Sequence, residues 1–165
     1  MTASIRNYEK EFNEMIDFLA LKNTNQMSFL DLGCGTGASL VYAAKHFQKV
    51  YGVDVSKSML EQAQKKIEKE KITNASLIQS GFLTYTHQEE PVDLVMTKAA
   101  FHHLPDFWKQ IALLKMNQML KKNGLLYLFD VVFHLDPKDY QMKINQWVSG
   151  FEKLAGKKMK EEVEI

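Results

Sequence analysis

Three glycines at alternate positions, in Asp31-Leu32-Gly33-Cys34-Gly35-Thr36-Gly37-Ala38, form the segment of this chain most suited to binding chemistry. Glycine removes a side chain where the backbone turns sharply and where a ligand must come close. A short apolar run, Ser28 to Leu32, precedes the glycines, and a helical pattern from Ala38 to Phe47 follows them. The first N–H groups of a helix lack intrahelical partners and carry partial positive charge, which favours an anionic group at that point. Asp54 lies 21 residues beyond Gly33, at the end of a second short strand. A carboxylate there can accept from both hydroxyls of a ribose. Loop and acid together describe a nucleoside-containing cofactor laid across two neighbouring strand ends. Gly33-x-Gly35-x-x-Ala38 with Asp54 also satisfies the relaxed dinucleotide fingerprint, so an NAD(P)-dependent oxidoreductase stays open as an alternative.

Other candidates for chemistry are sparser. His102 and His103 follow the fourth strand and could serve as general bases, with packing under the loop or plain solvation as the competing reading. Asp130 and His134, near the end of the fifth strand, are weaker candidates, and His46 and His87 read as surface residues. Cys34 has no base or cation nearby in sequence and reads as a small packing residue rather than a nucleophile. Tyr8 and Phe12 read as core contacts of a first helix, with Tyr8 a candidate lid residue.

The elements that must hold these residues follow from periodicity. Tyr8, Phe12, Met15, Ile16 and Leu19 share one helical face, and Lys22-Asn23-Thr24-Asn25 ends it. Strands are expected at Ser28 to Leu32, Val50 to Val53, Ala75 to Gln79, Val92 to Met96 and Leu125 to Val132. Ser56 is a plausible N-cap, with Ser58 and Glu61 as an alternative capping box, for a helix carrying Met59, Leu60, Ala63 and Ile67 inward. Its other side, Lys65, Lys66, Glu68, Lys69 and Glu70, reads as a solvated face. A helix starting at Pro105 is expected to run to about Lys122, to stop at Asn123-Gly124 and to be largely covered. The strand after it is apolar enough for burial on both faces. Asp136-Pro137 then starts a helix whose stripe is Tyr140, Ile144, Trp147, Val148 and Phe151. Strands alternating with helices predict an α/β, doubly wound, mostly parallel sheet of about five strands. Its ligand belongs beyond the carboxyl ends of the strands. We read residues 1–165 as one domain, with a helical cap over 1–27, a core over 28–132 and a C-terminal helix over 133–165.

The motifs, taken in order, resemble those of class I S-adenosylmethionine-dependent methyltransferases. DLGCGTG resembles that family's first motif, YGVDVSKSMLEQA its ribose motif, and FHHLPD with the helix–Asn123-Gly124–strand passage its later ones. The resemblance spans residues 28 to 132 and is closest to the small-molecule, type 11-like branch. It implies a Rossmann-like fold, S-adenosylmethionine as cofactor and methyl transfer to a small molecule. It also implies a cofactor set of Asp31, Gly33, Cys34, Gly35, Asp54, Val55, Met59, Gly81, Phe82 and Lys98. In that set Asp31 supplies negative potential for the ammonium, Asp54 takes the ribose, and Val55 and Met59 flank the adenine. Gly81-Phe82 meets the adenine edge, and the backbone of Lys98 meets the methionine moiety. The family often carries an acid after the third strand, and Gly81 stands at the aligned position here. The resembling fold has seven strands, so the C-terminal hairpin is missing and the chain is expected to be truncated. Otherwise its fifth strand pairs with a second copy in a homodimer. A non-catalytic cofactor-binding or partner-binding module is a further alternative.

Composition narrows the field. The chain has 165 residues, 45% hydrophobic and 25% charged, ordinary for a globular domain. Lys and Arg number 21 against 20 Asp and Glu, so no global field recruits nucleic acid or an anionic membrane. Thr97-Lys98-Ala99-Ala100 lacks the Pro-Pro-aromatic signature of base-directed enzymes. One cysteine excludes an internal disulfide and a multi-cysteine zinc site, no metal set is evident, and a cytoplasmic location is expected. No run of 18 apolar residues offers a membrane span.

Overall fold

A computed structural model describes residues 7–131, 136 and 138–155. The chain separates into two compact units, Tyr8–Val131 on the one hand and residues 1–7 with 132–165 on the other. The first unit runs α1 (Tyr8–Phe18), β1 (Ser28–Leu32), α2 (Ala38–His46), β2 (Lys49–Asp54), α3 (Lys57–Lys69), β3 (Ala75–Gln79), β4 (Val92–Lys98), α4 (Asp106–Met119) and β5 (Leu120–Phe129). Single 3₁₀ turns at Thr24–Gln26 and Phe101–His103 complete it. The five strands form one sheet in the order β3-β2-β1-β4-β5, and every pair is parallel. The chain steps outward from β1 to β3 and then returns to the far side of β1 as β4. The reversal between β1 and β4 is the switch point at which such sheets bind ligands.

Alternation along β1 sends Phe29 to one face and Leu30 and Leu32 to the other. On the first face Phe29 packs with Phe12 of α1 and Phe47 beyond α2, at ring separations of 5.8 and 5.1 Å. On the second, Leu30, Val53 and Val95 meet Ala112, Met116 and Met119 of α4. Ser56 caps α3, its hydroxyl accepting from the Met59 N–H.

Residues 80–91 join β3 to β4 through turns, so no helix separates these two strands. Expectations for α4 and β5 are corrected. The helix α4 ends at Met119, and β5 begins at once with Leu120. Asn123, at φ 66°, and Gly124 lie within β5, where the register jumps from Val92–Leu120 to Leu94–Leu125. The Asn-Gly signal therefore serves a bulge in the strand rather than a helix stop. Apolar content also overstated coverage. Phe107 and Leu114 of α4 are 64% and 61% exposed, and Leu128 and Phe129 of β5 are half exposed. Among the described residues β5 has one neighbour, β4, so it is an edge strand and not one buried on both faces.

In the second unit α5 spans Tyr140–Ala155. The Asp136 carboxylate accepts from the Lys138 N–H at 2.9 Å, which makes Asp136 the cap of the preceding turn and delays the helix to Tyr140. His134 lies outside the described residues.

Candidate cofactor site at the strand ends

The glycine loop is stitched to the strand beside it. The N–H groups of Gly33 and Cys34 both donate to the Val53 carbonyl, at 2.8 and 3.1 Å. Gly33, Gly35 and Gly37 all have positive φ, which a larger side chain would oppose. A Cβ on Gly33 would lie 2.5 Å from the Ala100 Cβ, so the loop after β4 presses directly on it. A Cβ on Gly35 would meet nothing within 4 Å. The space beside Gly35 belongs to a cavity.

That cavity, about 660 Å³, lies over the carboxyl ends of β1, β2 and β4 and the turn after β3. Its volume is that of a small-molecule site, roughly 300–1,000 Å³. Val55, Met59, Phe82, Leu83 and Leu104 make most of its wall apolar, and Asp54, Ser56, Ser80, Thr84 and His103 supply polar atoms. Asp54 is held on both oxygens: Oδ2 accepts from the Gly35 N–H and Oδ1 from the Ser56 N–H, each at 2.8 Å. Two charge-assisted bonds fix its plane before any ligand arrives.

Of the residues expected at a cofactor, Gly33, Gly35, Asp54, Val55, Met59, Gly81 and Phe82 line this cavity, whereas Asp31, Cys34 and Lys98 do not. Asp31 sits below, 2% exposed, and its Oδ1 has no hydrogen-bond partner among the described residues. Burial pushes its carboxyl up to about 7, repulsion from Asp54 adds to this, and Lys98 opposes it. Lys98 makes an ion pair with Glu11, tying α1 to the end of β4. Cys34 is buried, and burial, reinforced by Asp31 and Asp54, pushes its thiol far up, so it is no nucleophile.

His103 borders the cavity, and the His102 ring lies against it at 4.1 Å. His102 Nδ1 is 2.6 Å from Asp130 Oδ1, and Asp130 Oδ2 accepts the His102 backbone N–H. Burial pushes the Asp130 carboxyl up, but the bonds from His102 and the Val131 N–H win and hold it below its ordinary range. His87 and His46 depart from a surface reading. The former bonds Tyr85 Oη through Nδ1 at 2.7 Å, and the latter packs on Phe12 at 5.9 Å. Tyr8 borders a small recess with Glu11 and Lys98, away from the cavity.

Sequence reasoning missed the pairing of Asp130 with His102, residues 28 apart, because no local pattern announces it. It also missed Ser80, Thr84 and the Ala99-Ala100 turn on the cavity wall. Lys66 was misplaced: its ammonium donates to both the Thr36 carbonyl and hydroxyl, at 2.8 Å each, and is not merely solvated.

A parallel sheet with a glycine loop at its switch point and a fixed acid on the neighbouring strand end defines a doubly wound α/β protein with a site for a nucleoside ligand. The profile of the methyltransferase-domain family matches residues 29–124, more than half of the chain, and the chain belongs to that family. It is 30% identical over 149 residues to an uncharacterized methyltransferase of Geobacillus sp. (strain WCH70), covering 87% of this chain and 67% of that one. An uncharacterized methyltransferase of Geobacillus kaustophilus is 31% identical, with 76% of this chain and 57% of the relative covered. The chain thus spans little more than half to two thirds of the length of these relatives. Among solved structures, the fold is similar to that of the YcgJ protein of Bacillus subtilis, with TM-score 0.68, 22% identity, and 84% and 58% of the two chains covered. It is also similar to an S-adenosylmethionine-bound amino pentose methyltransferase of Micromonospora echinaspora, with TM-score 0.67, 24% identity, and 78% and 53% covered.

Proposed function

We propose that this chain binds S-adenosylmethionine in the 660 Å³ cavity and that the protein transfers its methyl group to a small-molecule acceptor. The observation that carries this reading is Asp31, a buried acid two residues before Gly33 of the glycine loop that is not itself on the cavity wall and whose Oδ1 has no partner among the described residues. A pyrophosphate at that loop would meet negative charge, whereas the ammonium of an amino-acid moiety would satisfy it. No Lys or Arg is among the described residues lining the cavity, which again suits a ligand without phosphates. The fit extends along the wall. Asp54 offers its remaining lone pairs to ribose hydroxyls, bare backbone at Gly33 and Gly35 admits close approach, and Val55, Met59 and Phe82 bury a planar base.

When bound, S-adenosylmethionine supplies a methyl group on a sulfonium, with a neutral thioether as leaving group. The residues of the chain then contribute chiefly orientation, which is most of what such a displacement needs. Where the acceptor is a hydroxyl or an ammonium, a base must remove a proton. His102 is suited to it, because ionised Asp130 holds Nδ1–H and leaves Nε2 to accept. His103, whose ring lies 4.1 Å from that of His102, lines the cavity.

No helix among the described residues is long and apolar enough to cross a membrane. A single, buried cysteine suits a reducing compartment, which supports the cytoplasmic reading. The half-exposed apolar side chains of β5, Leu125, Leu128 and Phe129, support pairing of this edge with a second copy, and a monomer at every concentration in sedimentation equilibrium contradicts it. The cofactor is tested by titrating S-adenosylhomocysteine and NADH in parallel into the same protein. The former binds and the latter does not; binding of NADH alone overturns the assignment in favour of a dinucleotide enzyme.

A further inference from the structure

Thr36 lies in the glycine loop between two residues whose N–H groups are held from elsewhere, Gly35 by Asp54 and Gly37 by Cys34. It stands between Gly35 at φ 53° and Gly37 at φ 72°, so the peptide groups on both sides of it can rotate with little steric resistance. On one side Gly35 is held by Asp54, and on the other the Gly37 N–H donates back to the Cys34 carbonyl at 3.0 Å. The Thr36 carbonyl and hydroxyl go instead to Lys66, which bonds both at 2.8 Å from the far end of α3. One turn earlier on the same helix, Ala63 lies so close that a Cβ on Gly37 would be 2.7 Å from its own. The start of α3 is tied to the site as well, through the bond from the Ser56 N–H to Asp54. The helix therefore touches the site twice, once at the acid and once at Thr36 of the loop.

We infer that Lys66 is a positioning residue, whose ammonium locks the Thr36 peptide and so presets the glycine loop in the form that receives the cofactor. This rests on the cofactor reading above for its ligand, but not for the lock itself. A lock of this kind acts on the fraction of molecules already competent to bind. Losing it slows association and leaves dissociation nearly unchanged. Direct attraction between Lys66 and the ligand would behave differently, since it would fade as salt rises.

The test uses S-adenosylhomocysteine as probe and the variants Lys66→Met, Lys66→Arg, Thr36→Val and the double variant Lys66→Met/Thr36→Val. We expect Lys66→Met to weaken binding about five- to tenfold, less than a charge-assisted bond is worth because only the loop's preset is lost and water takes over the Thr36 groups, through slower association and equally at low and high salt. Lys66→Arg restores most of the affinity. Thr36→Val costs about twofold, and the double variant is no worse than Lys66→Met alone, as expected for residues acting through one contact. Without ligand, amide hydrogen exchange at residues 35–38 quickens in Lys66→Met while the sheet amides do not change. Unchanged exchange there overturns the lock whether or not the probe binds. If the wild-type protein fails to bind the probe while Lys66→Met still quickens exchange, the cofactor reading falls and the lock stands. If the wild type binds and Lys66→Met matches it within twofold, the inference falls and the cofactor reading stands.

Discussion

Asp54 and Asp31 stand on adjacent strands at the same end of the sheet, yet one is complete and the other is not. Asp54 borders the cavity and spends one lone pair on each oxygen on backbone N–H groups, so its orientation is set in the free protein. Asp31 is buried, has an oxygen without a partner among the described residues, and its carboxyl is pushed up to about 7 by burial and by Asp54. An unpaired buried carboxyl is a standing cost to the fold. The contrast separates two ways of preparing a site. On the proposed cofactor reading, the acid that would set the ribose geometry is held rigid by the fold, whereas the acid that would meet the ammonium is left unsatisfied in the free protein.

The largest effect is expected at the rigid member. Asp54→Ala removes two charge-assisted backbone bonds, each worth roughly 1.5–3 kcal/mol, together with the acceptor for the ribose. S-adenosylhomocysteine affinity should fall at least ~100-fold while circular dichroism shows the sheet intact. A loss of less than twofold by calorimetric titration would mean that Asp54 serves only the loop. Asp31→Asn should have a smaller effect, and one of opposite sign in the free protein. Between the ordinary value of 3.8 and about 7, the unfolded chain has lost the Asp31 proton and the folded chain keeps it. Stability contributed at this site therefore falls as pH rises through that window and is lowest above it. Asp31→Asn removes the slope and should raise unfolding free energy at pH 8 by roughly 1–2 kcal/mol, read from urea melts at pH 5 and pH 8. It should also weaken cofactor binding about tenfold at pH 8, because an amide offers the ammonium no charge. In the wild type the ionised form is the one that pairs, so affinity should strengthen from pH 6 to pH 8, and the variant should show no such trend. A variant less stable than the wild type at pH 8 would show Asp31 to be satisfied in the free protein.

This pair of acids also marks how far the sequence was legible. Asp54 was read from local signals, an apolar run stopped by glycine and an acid at fixed distance, and it does border the cavity, whereas Asp31 entered only through the resemblance of the glycine loop to the family's first motif. Parallel pairing followed from the alternation of elements, but the strand order β3-β2-β1-β4-β5 was not read from it. What escaped depends on contacts between distant segments. Lys66 looks solvated because its neighbours are charged, but a lysine stem can cross apolar surface to a carbonyl 30 residues away. Asp130 gains its meaning from His102 across the β4–β5 gap. At Asn123-Gly124 the local signal was real and its use was different: a positive φ within a bulged strand satisfies the same residue chemistry as a helix stop.

The end of β3 gives the finest test of the same contrast, between groups built into the site and groups left out of it. The family's acid aligns with Gly81 here, and a Cβ there would lie 2.7 Å from Val55 Cγ1, so a side chain at this point must push Val55 aside. Ser80, one residue earlier, lines the cavity, and its hydroxyl is 3.0 Å from that of Thr84. The two substitutions should therefore diverge. Ser80→Asp adds an acceptor at the base end from a position that already carries a side chain, and should tighten S-adenosylhomocysteine by about two- to tenfold, the range of a single hydrogen bond. Gly81→Asp forces Val55 away from the same wall and should weaken binding despite adding an identical carboxylate. The comparison is read as a ratio of dissociation constants, each variant against the wild type. Equal gains from both would mean that the wall at Val55 yields easily. A loss from both would mean that the base does not lie at this end of the cavity, and the polarity assigned to the bound nucleoside would have to be reversed.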